Sequence, residues 1–329
     1  MSGRYCDIKT SAYPDCYLCG TPGKELYVGL TDQLFGAPGV WNLKQCPGAD
    51  CGLIWLDPMP MEEDIPVAYQ RYYTHHDQRV KKSIAKLAYK ILQGVVSRAT
   101  GLIKEQRAIR TSYLGEQVPG KLLENGCGSG DHLAIMRTLG WTVEGVEIDP
   151  VACQRARKLH GLTVHEGTLE SKGYPENSFD AILMHHVIEH VFDPVALLKE
   201  CHRIIKPDGH VVVITPNTES WGYKKFQESW RGFEPPRHIH MFSPKTMKKS
   251  ADLACYEKVT VTTTPANADG IFRGSMNIKK NKLHGMRHDH QRFKQERIIL
   301  WSLFLQLIEH RLWKRDASIG EEVVMICRK

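Results

Sequence analysis

The chain has 329 residues, of which 42% are hydrophobic and 25% charged, and a formal net charge of +7. This composition excludes a disordered chain and a membrane-spanning one, and the length accommodates a full α/β domain plus a small additional unit. The positive charge admits an acidic partner, whether RNA, an anionic lipid surface or a phosphate-bearing small molecule, without choosing among them. The opening MSGRYCDIKT has no apolar run of the secretory kind, so a cytoplasmic location is expected. The ten cysteines then read as reduced thiols and metal ligands.

Cys16 and Cys19 form a C-x-x-C pair followed by Gly20, and Cys46 and Cys51 form a second pair, in QCPGADCGL, followed by Gly52. Two such turns resemble the knuckles of a zinc ribbon, which aim four sulfurs at one tetrahedral ion. A four-cysteine zinc site is closed and structural. Buried inert thiols are the alternative, with Cys6 as a substitute ligand. After the break Asp57-Pro-Met-Pro60, Tyr69, Tyr72 and Tyr73 suit packing between two small domains or a substrate entrance. His75 and His76 are adjacent and make a poor bidentate metal site. From Val80 to about Lys104 a basic amphipathic helix is predicted, with Ile84, Leu87, Ile91 and Val95 on one face and Lys81, Lys82, Lys86 and Lys90 on the other. It either caps a sheet or meets a membrane surface and a lipid-linked substrate.

The stretch Lys121 to Gly130, KLLENGCGSG, reads as a strand, a glycine turn and a helix start. Glycines at 126, 128 and 130 let the backbone bend tightly and a ligand approach it. The spacing is G-x-G-x-G with Glu124 before it, not the G-x-G-x-x-G of a pyrophosphate site, which favours a ligand bearing positive charge. A second strand, Trp141 to Val146, ends at Glu147, 17 residues beyond Gly130, where a carboxylate can accept both ribose hydroxyls. A short strand around Leu162 to Val164 leads to Thr168 and Leu169. A fourth, Phe179 to Met184, delivers His185-His186-Val-Ile-Glu189-His190 to the carboxyl edge of the sheet. If that segment is helical, His186, Glu189 and His190 share one face and either bind a second metal or shape the pocket. Lys206 to Gly209 is the turn into a fifth strand, His210 to Ile214.

These blocks, ENGCGSG, GVEIDP, FDAILMHHVIEHVFDP and IIKPDGHVVVITPN, resemble the successive motifs of class I S-adenosylmethionine-dependent methyltransferases. The resemblance implies a Rossmann-like α/β fold with a seven-stranded, mostly parallel sheet and helices on both faces. It also implies S-adenosylmethionine as cofactor and S-adenosylhomocysteine as product. Glu124, Gly126, Cys127, Gly128, Gly130, Glu147, Ile148, Thr168, Leu169 and His185 are the matching donor positions. Relatives that methylate catechol-like quinone precursors carry Glu where His186 stands, and there the acidic and histidine positions hold a metal.

Trp221 to Ser243, WGYKKFQESWRGFEPPRHIHMFS, shows no helical or strand period; within 215–245 it is expected to cover the acceptor, with His238, His240 or His186 as general base. A helix from Ser243 and a strand from Lys258 to Thr263 follow. Asn267 to His290, glycine-rich and basic, reads as a mobile substrate loop. Ile298 to Trp313 reads as an apolar helix suited to burial, to a homodimer or to a monotopic membrane contact. Glu322 to Cys327 closes the sheet as an antiparallel strand. The organisation expected is a zinc-ribbon-like module at 1–70, a helical connector at 71–110 and a methyltransferase domain at 111–329 with an insertion at 264–316. The function expected is methyl transfer to a sugar, nucleotide-linked or natural-product acceptor. The rivals are an RNA methyltransferase and a non-catalytic cofactor-binding scaffold.

Overall fold

A computed structural model of the chain describes residues 8–70, 93–284 and 292–329, with side chains in the last segment described from Arg297. Cys6, Tyr72, Tyr73, His75, His76 and most of the basic helix fall outside these residues. Thirteen strands run in chain order: β1 Thr10–Ser11, β2 Lys24–Leu30, β3 Trp41–Gln45, β4 Ile54–Leu56, β5 Met59–Pro60, β6 Lys121–Asn125, β7 Thr142–Glu147, β8 Val164–Glu166, β9 Phe179–His185, β10 Ile205–Pro216, β11 His240–Met241, β12 Lys258–Thr264 and β13 Glu322–Arg328. Seven of them form one sheet in the order β12-β13-β10-β9-β6-β7-β8. β8, β7, β6, β9 and β10 are parallel, and β13 pairs antiparallel with both β10 and β12. Central strands covered on both faces need continuous apolar runs, and β9 supplies one, with Phe179 and Ala181 to Met184 fully enclosed. The strand order reverses beside β6, so the ends of β6, β7 and β9 open onto one crevice.

The N-terminal segment builds a second, four-stranded sheet in the order β11-β4-β3-β2. Its fourth strand comes from the far side of the sequence: His240 pairs with Trp55 and Met241 with Ile54. Cys16, Cys46, Cys51, Leu53 and Trp55 also share one apolar cluster with Met184, Ile188, Ile239 and Phe242. The cysteine module and the large sheet therefore have a common core.

Four expectations change. The long basic helix is interrupted: residues 93–100 are helical, and the helix Ile103–Arg110 starts anew after Gly101, whose φ of +81° ends the first ladder. The fifth strand does not start at His210, because β10 takes in the Lys206–Gly209 turn through a bulge. The supposed substrate loop is helical over Ala268–His284. Gly274 there is a packing residue, since a Cβ would meet Arg231 Cδ at 2.3 Å. The aperiodic 221–243 stretch folds into a short helix, Trp221–Phe226, two 3-10 turns and β11, and buries Trp230 and Phe233 against Trp41, Leu43 and Leu56. Aromatic side chains set that path, and a periodicity argument does not detect them. No helix of the described residues is long and apolar enough to cross a membrane.

Candidate active site

The turn after β6 holds three glycines with positive φ, at +74° for Gly126, +53° for Gly128 and +79° for Gly130. Their roles differ. A Cβ on Gly126 would meet Val187 at 2.4 Å and one on Gly130 would meet Leu162 at 2.5 Å, whereas at Gly128 the space is open. Two glycines thus allow close packing, and the middle one leaves the ligand side bare. The Gly128 N–H donates to Glu147 Oε2 at 2.8 Å and the Asp149 N–H to Glu147 Oε1 at 2.9 Å, which fixes the carboxylate across the crevice. Burial outweighs these bonds and raises the Glu147 pKa above the usual carboxylate value. Ile148 beside it is 63% exposed, an apolar side chain on the rim of the same crevice. Thr168 is engaged otherwise than expected: its hydroxyl accepts the Ser171 N–H and caps the helix Leu169–Lys172, while Leu169 is buried.

Beneath the glycine turn, Glu124 lies 3% exposed with Oε1 at 3.1 Å from His132 Nδ1 and 3.7 Å from His185 Nδ1. The other oxygen, Oε2, is buried without a hydrogen-bond partner. Ser112 Oγ bridges the two imidazoles, at 3.2 Å from His132 Nε2 and 3.0 Å from His185 Nε2. Burial lowers both histidines, but the bond to Glu124 reverses this for His132, whose pKa is raised; His185 is pushed well below its usual value by burial and by the charges of His132 and His186. Two imidazoles whose pKa values are pushed in opposite directions thus sit side by side, with ring centroids 4.4 Å apart.

On the acceptor side, His186 does not share a helical face with Glu189 and His190. It adopts a left-handed φ of +54°, and a 3-10 turn follows at Ile188–His190. Its ring is clasped by two carboxylates, with Nδ1 at 3.2 Å from Glu189 Oε1 and Nε2 at 2.9 Å from Glu322 Oε1. Burial would lower its pKa, yet the two bonds raise it well above 6.5. Burial alone would raise Glu189, and the hydrogen bond from His186 with the neighbouring His190 and His238 brings it to about 2. Thr215 Oγ1 donates to Glu189 Oε2 at 2.9 Å. The trio brought together is Glu189, His190 and His238, whose ligand-type atoms lie within 4.8 Å of one another. His190 Nδ1 lies 2.9 Å from Arg237 O and His238 Nδ1 2.7 Å from Gly232 O. His240 is 1% exposed, with Nε2 at 3.3 Å from Phe192 O and Nδ1 buried without a partner. Burial drives both His238 and His240 down to about 4.

The sulfurs of Cys16, Cys19, Cys46 and Cys51 also lie within 4.8 Å of one another, with Cys16–Cys51 at 3.6 Å and Cys19–Cys46 at 3.4 Å. A tetrahedral zinc at 2.3 Å from each sulfur sets neighbouring sulfurs about 3.8 Å apart. The cluster therefore fits one such ion, and none of the four is in a disulfide. The hydrogen bond shared by Cys16 and Cys51 lowers the Cys51 thiol and raises Cys16, which favours the thiolate form at Cys51.

Glu322, Glu124 Oε2, Ser112 and Tyr69, whose hydroxyl lies 3.0 Å from His190 Nδ1, complete the crevice. Of these, Glu322 and Ser112 escaped the sequence reading, because they bind residues 136 and 73 positions away, and His132 escaped it because it belongs to no motif block.

A doubly wound sheet with a glycine turn facing an acidic strand end is a nucleoside-binding architecture. The family model described as "Methyltransferase domain" matches residues 101–261. The chain is 31% identical over 127 residues to a ubiquinone biosynthesis O-methyltransferase of Proteus mirabilis, covering 34% of this chain and 51% of the relative. It is 27% identical over 184 residues to the protein of that name from Alkalilimnicola ehrlichii, covering 48% and 72%. The chain thus spans about half the length of the Proteus relative. Among solved structures, an S-adenosylmethionine-dependent methyltransferase of Archaeoglobus fulgidus aligns with a TM-score of 0.45 at 18% identity, over 70% of this chain and 94% of that one. Residues 101–261, which hold the glycine turn and strands β6 to β10, thus match a methyltransferase domain.

Proposed function

We propose that the protein transfers the methyl group of S-adenosylmethionine to an oxygen of a small-molecule acceptor, with structural zinc at Cys16, Cys19, Cys46 and Cys51. The observation that carries this reading is the donor cradle: Gly128 leaves its ligand side open next to a Glu147 carboxylate held by two backbone amides. The O-methyltransferase relatives favour oxygen as the methylated atom. Transfer from a sulfonium is an in-line displacement, so alignment and exclusion of water are the main contributions of the protein. An acceptor hydroxyl must also lose a proton.

Three histidines were expected as bases, and their environments separate them. His186 has both ring nitrogens given to carboxylates and a raised pKa, so it holds a positive charge and orders Glu189 and Glu322. His240 is enclosed, with its free nitrogen out of reach of any acceptor. His238 is neutral, with Nδ1 committed to Gly232 O and Glu189 close enough to stabilise the imidazolium that forms, so it is the base in this reading.

One arrangement supports a second reading for the same atoms. His190 and His238 each place Nδ1 on a backbone carbonyl, the kind of partner that orients ligating histidines, and each brings a ring nitrogen to within 4.8 Å of a Glu189 oxygen. Glu189, His190 and His238 are then the residues that would hold a divalent cation. This nitrogen-rich set suits zinc or another first-row ion better than magnesium. Such an ion would polarise the acceptor oxygen.

The test is incubation with methyl-labelled S-adenosylmethionine and extract of the source cell, followed by separation of small molecules, lipids, RNA and protein. Label among small molecules is the expected result. Label in RNA replaces the acceptor class, and donor binding without label in any fraction leaves a binding protein. Metal analysis then decides the role of His238: a metal content unchanged in His238→Ala keeps it as a base, and an ion beyond the one held by the four cysteines that is lost in His238→Ala makes it a ligand.

A further inference from the structure

Tyr17 stands inside the first knuckle, between Cys16 and Cys19, yet its hydroxyl reaches the large domain. It donates to Asp193 Oδ1 and accepts the Val195 N–H at 3.1 Å. Asp193 Oδ1 also accepts the Ala196 N–H at 2.8 Å, so knuckle and aspartate together cap the helix Pro194–Ile204. The Tyr17 ring lies 5.2 Å from that of His240. A second connection starts at the other knuckle. The Cys46 N–H donates to Leu53 O at 2.9 Å, Leu53 runs into β4, the Leu56 N–H donates to Ile239 O at 3.1 Å, and the Ile239 N–H donates to Glu189 O at 2.7 Å. Both knuckles are thus joined to the turn Glu189–Asp193, one at each end. Among the described residues no hydrogen bond joins residues 8–60 to the donor turn Gly126–Gly130.

We propose that Tyr17 is a positioning residue for the acceptor half of the site, and that the metal held by the four cysteines sets where the Glu189–Asp193 turn stands. The physical argument is one of rigidity. A closed tetrahedral site fixes the knuckle backbone, and Tyr17 and the Ile239–Glu189 bond carry that fixed position to the carboxylate and histidine nearest the acceptor. Loss of the metal then impairs methyl transfer and leaves donor binding intact. This inference rests on the methyltransferase reading above.

The test is Tyr17→Phe in the full chain, which keeps the ring against His240 and removes only the hydroxyl. Five quantities are compared with the unmodified protein: zinc content, S-adenosylmethionine affinity, kcat and KM on the labelled acceptor fraction, and amide exchange at His190 and Ile239. Neither amide contacts Tyr17. Zinc content and donor affinity are expected to be unchanged, kcat to fall about tenfold or more, as sub-ångström displacement of reacting groups does, and exchange at His190 and Ile239 to quicken. Chelation of the zinc from the unmodified protein should reproduce the last two changes at unchanged donor affinity. Unaltered kcat and exchange in Tyr17→Phe overturn the proposal, and so does a parallel loss of donor affinity on chelation, which marks general unfolding. If the unmodified protein binds the donor and transfers nothing, it is the methyltransferase reading that fails. Exchange at His190 and Ile239 then decides the coupling alone.

Discussion

The donor side and the acceptor side of the crevice differ in how far their partners lie apart in the chain. Gly128 meets Glu147 across 19 residues, whereas His186 meets Glu322 across 136 and Arg237 meets Asp32 across 205. The donor side is two adjacent parallel strands and the turns at their ends, so a local motif builds it. The acceptor side is assembled from the cysteine module, the turn after β9, the 227–243 segment and the start of β13. A change on the donor side should therefore alter one function, and a change on the acceptor side should spread through the fold.

The largest effect expected from this contrast is at Arg237, which is fully enclosed. It donates to Glu234 at 3.1 Å, to Asp32 at 2.9 Å and to the Ala68 carbonyl at 2.9 Å. Arg237→Met removes the cation bound to the buried Asp32 and leaves Glu234 paired with Arg231, and unfolding titration should show a loss of about 3–5 kcal/mol. An unchanged midpoint would mean that the module and the 227–243 segment are not held together through this residue.

Next in size is Glu147→Ala. It is expected to weaken S-adenosylmethionine binding by well over about tenfold, or roughly 1.4 kcal/mol, with no comparable fall in stability. Undiminished affinity in calorimetry places the ribose elsewhere. The raised pKa of Glu147 adds a pH signature. The charged carboxylate is the better acceptor for ribose hydroxyls, so donor affinity should be full above that raised pKa and decline as the pH falls through it. This decline should set in at a higher pH than an ordinary glutamate would give, and it should be absent in Glu147→Gln.

His186 gives the opposite dependence. Its folded pKa lies above the unfolded value of 6.5, so its contribution to stability is complete below pH 6.5 and is lost as the pH rises through the folded pKa. Denaturation midpoints of wild type and His186→Gln should therefore converge on the alkaline side. A constant gap would deny the charged state of His186.

The smallest change is Thr168→Ala. Removal of the cap on Leu169–Lys172 should cost about 1 kcal/mol, with donor affinity close to wild type because the hydroxyl is committed to Ser171. A loss of binding as large as that of Glu147→Ala would restore Thr168 to a direct role at the adenine.

How much of this was legible in the sequence follows the same division. Strands β6, β7, β9, β12 and β13 and the glycine turn were placed to within a residue or two, since apolar runs and glycine spacing are local signals. The 268–284 helix was missed because Gly270 and Gly274 suggested a loop. Gly274 is there for close approach to Arg231, a reason visible only once both are packed. The shared face of His186, Glu189 and His190 followed from an assumed helical spacing; His186 takes a left-handed conformation instead, with its ring bonded to both Glu189 and Glu322.

The sequence by itself determined the sheet, the donor turn with its acidic partner, and the grouping of four cysteines, because each depends on spacing within a short segment or on a repeated motif. Only the tertiary structure decided that β11 completes the N-terminal sheet, that His238 joins Glu189 and His190, and that His186 is clasped between Glu189 and Glu322, which raises its pKa. These outcomes depend on burial and on partners from about fifty to well over a hundred residues away. Desolvation and hydrogen bonding there choose protonation states and ring orientations that no local pattern encodes.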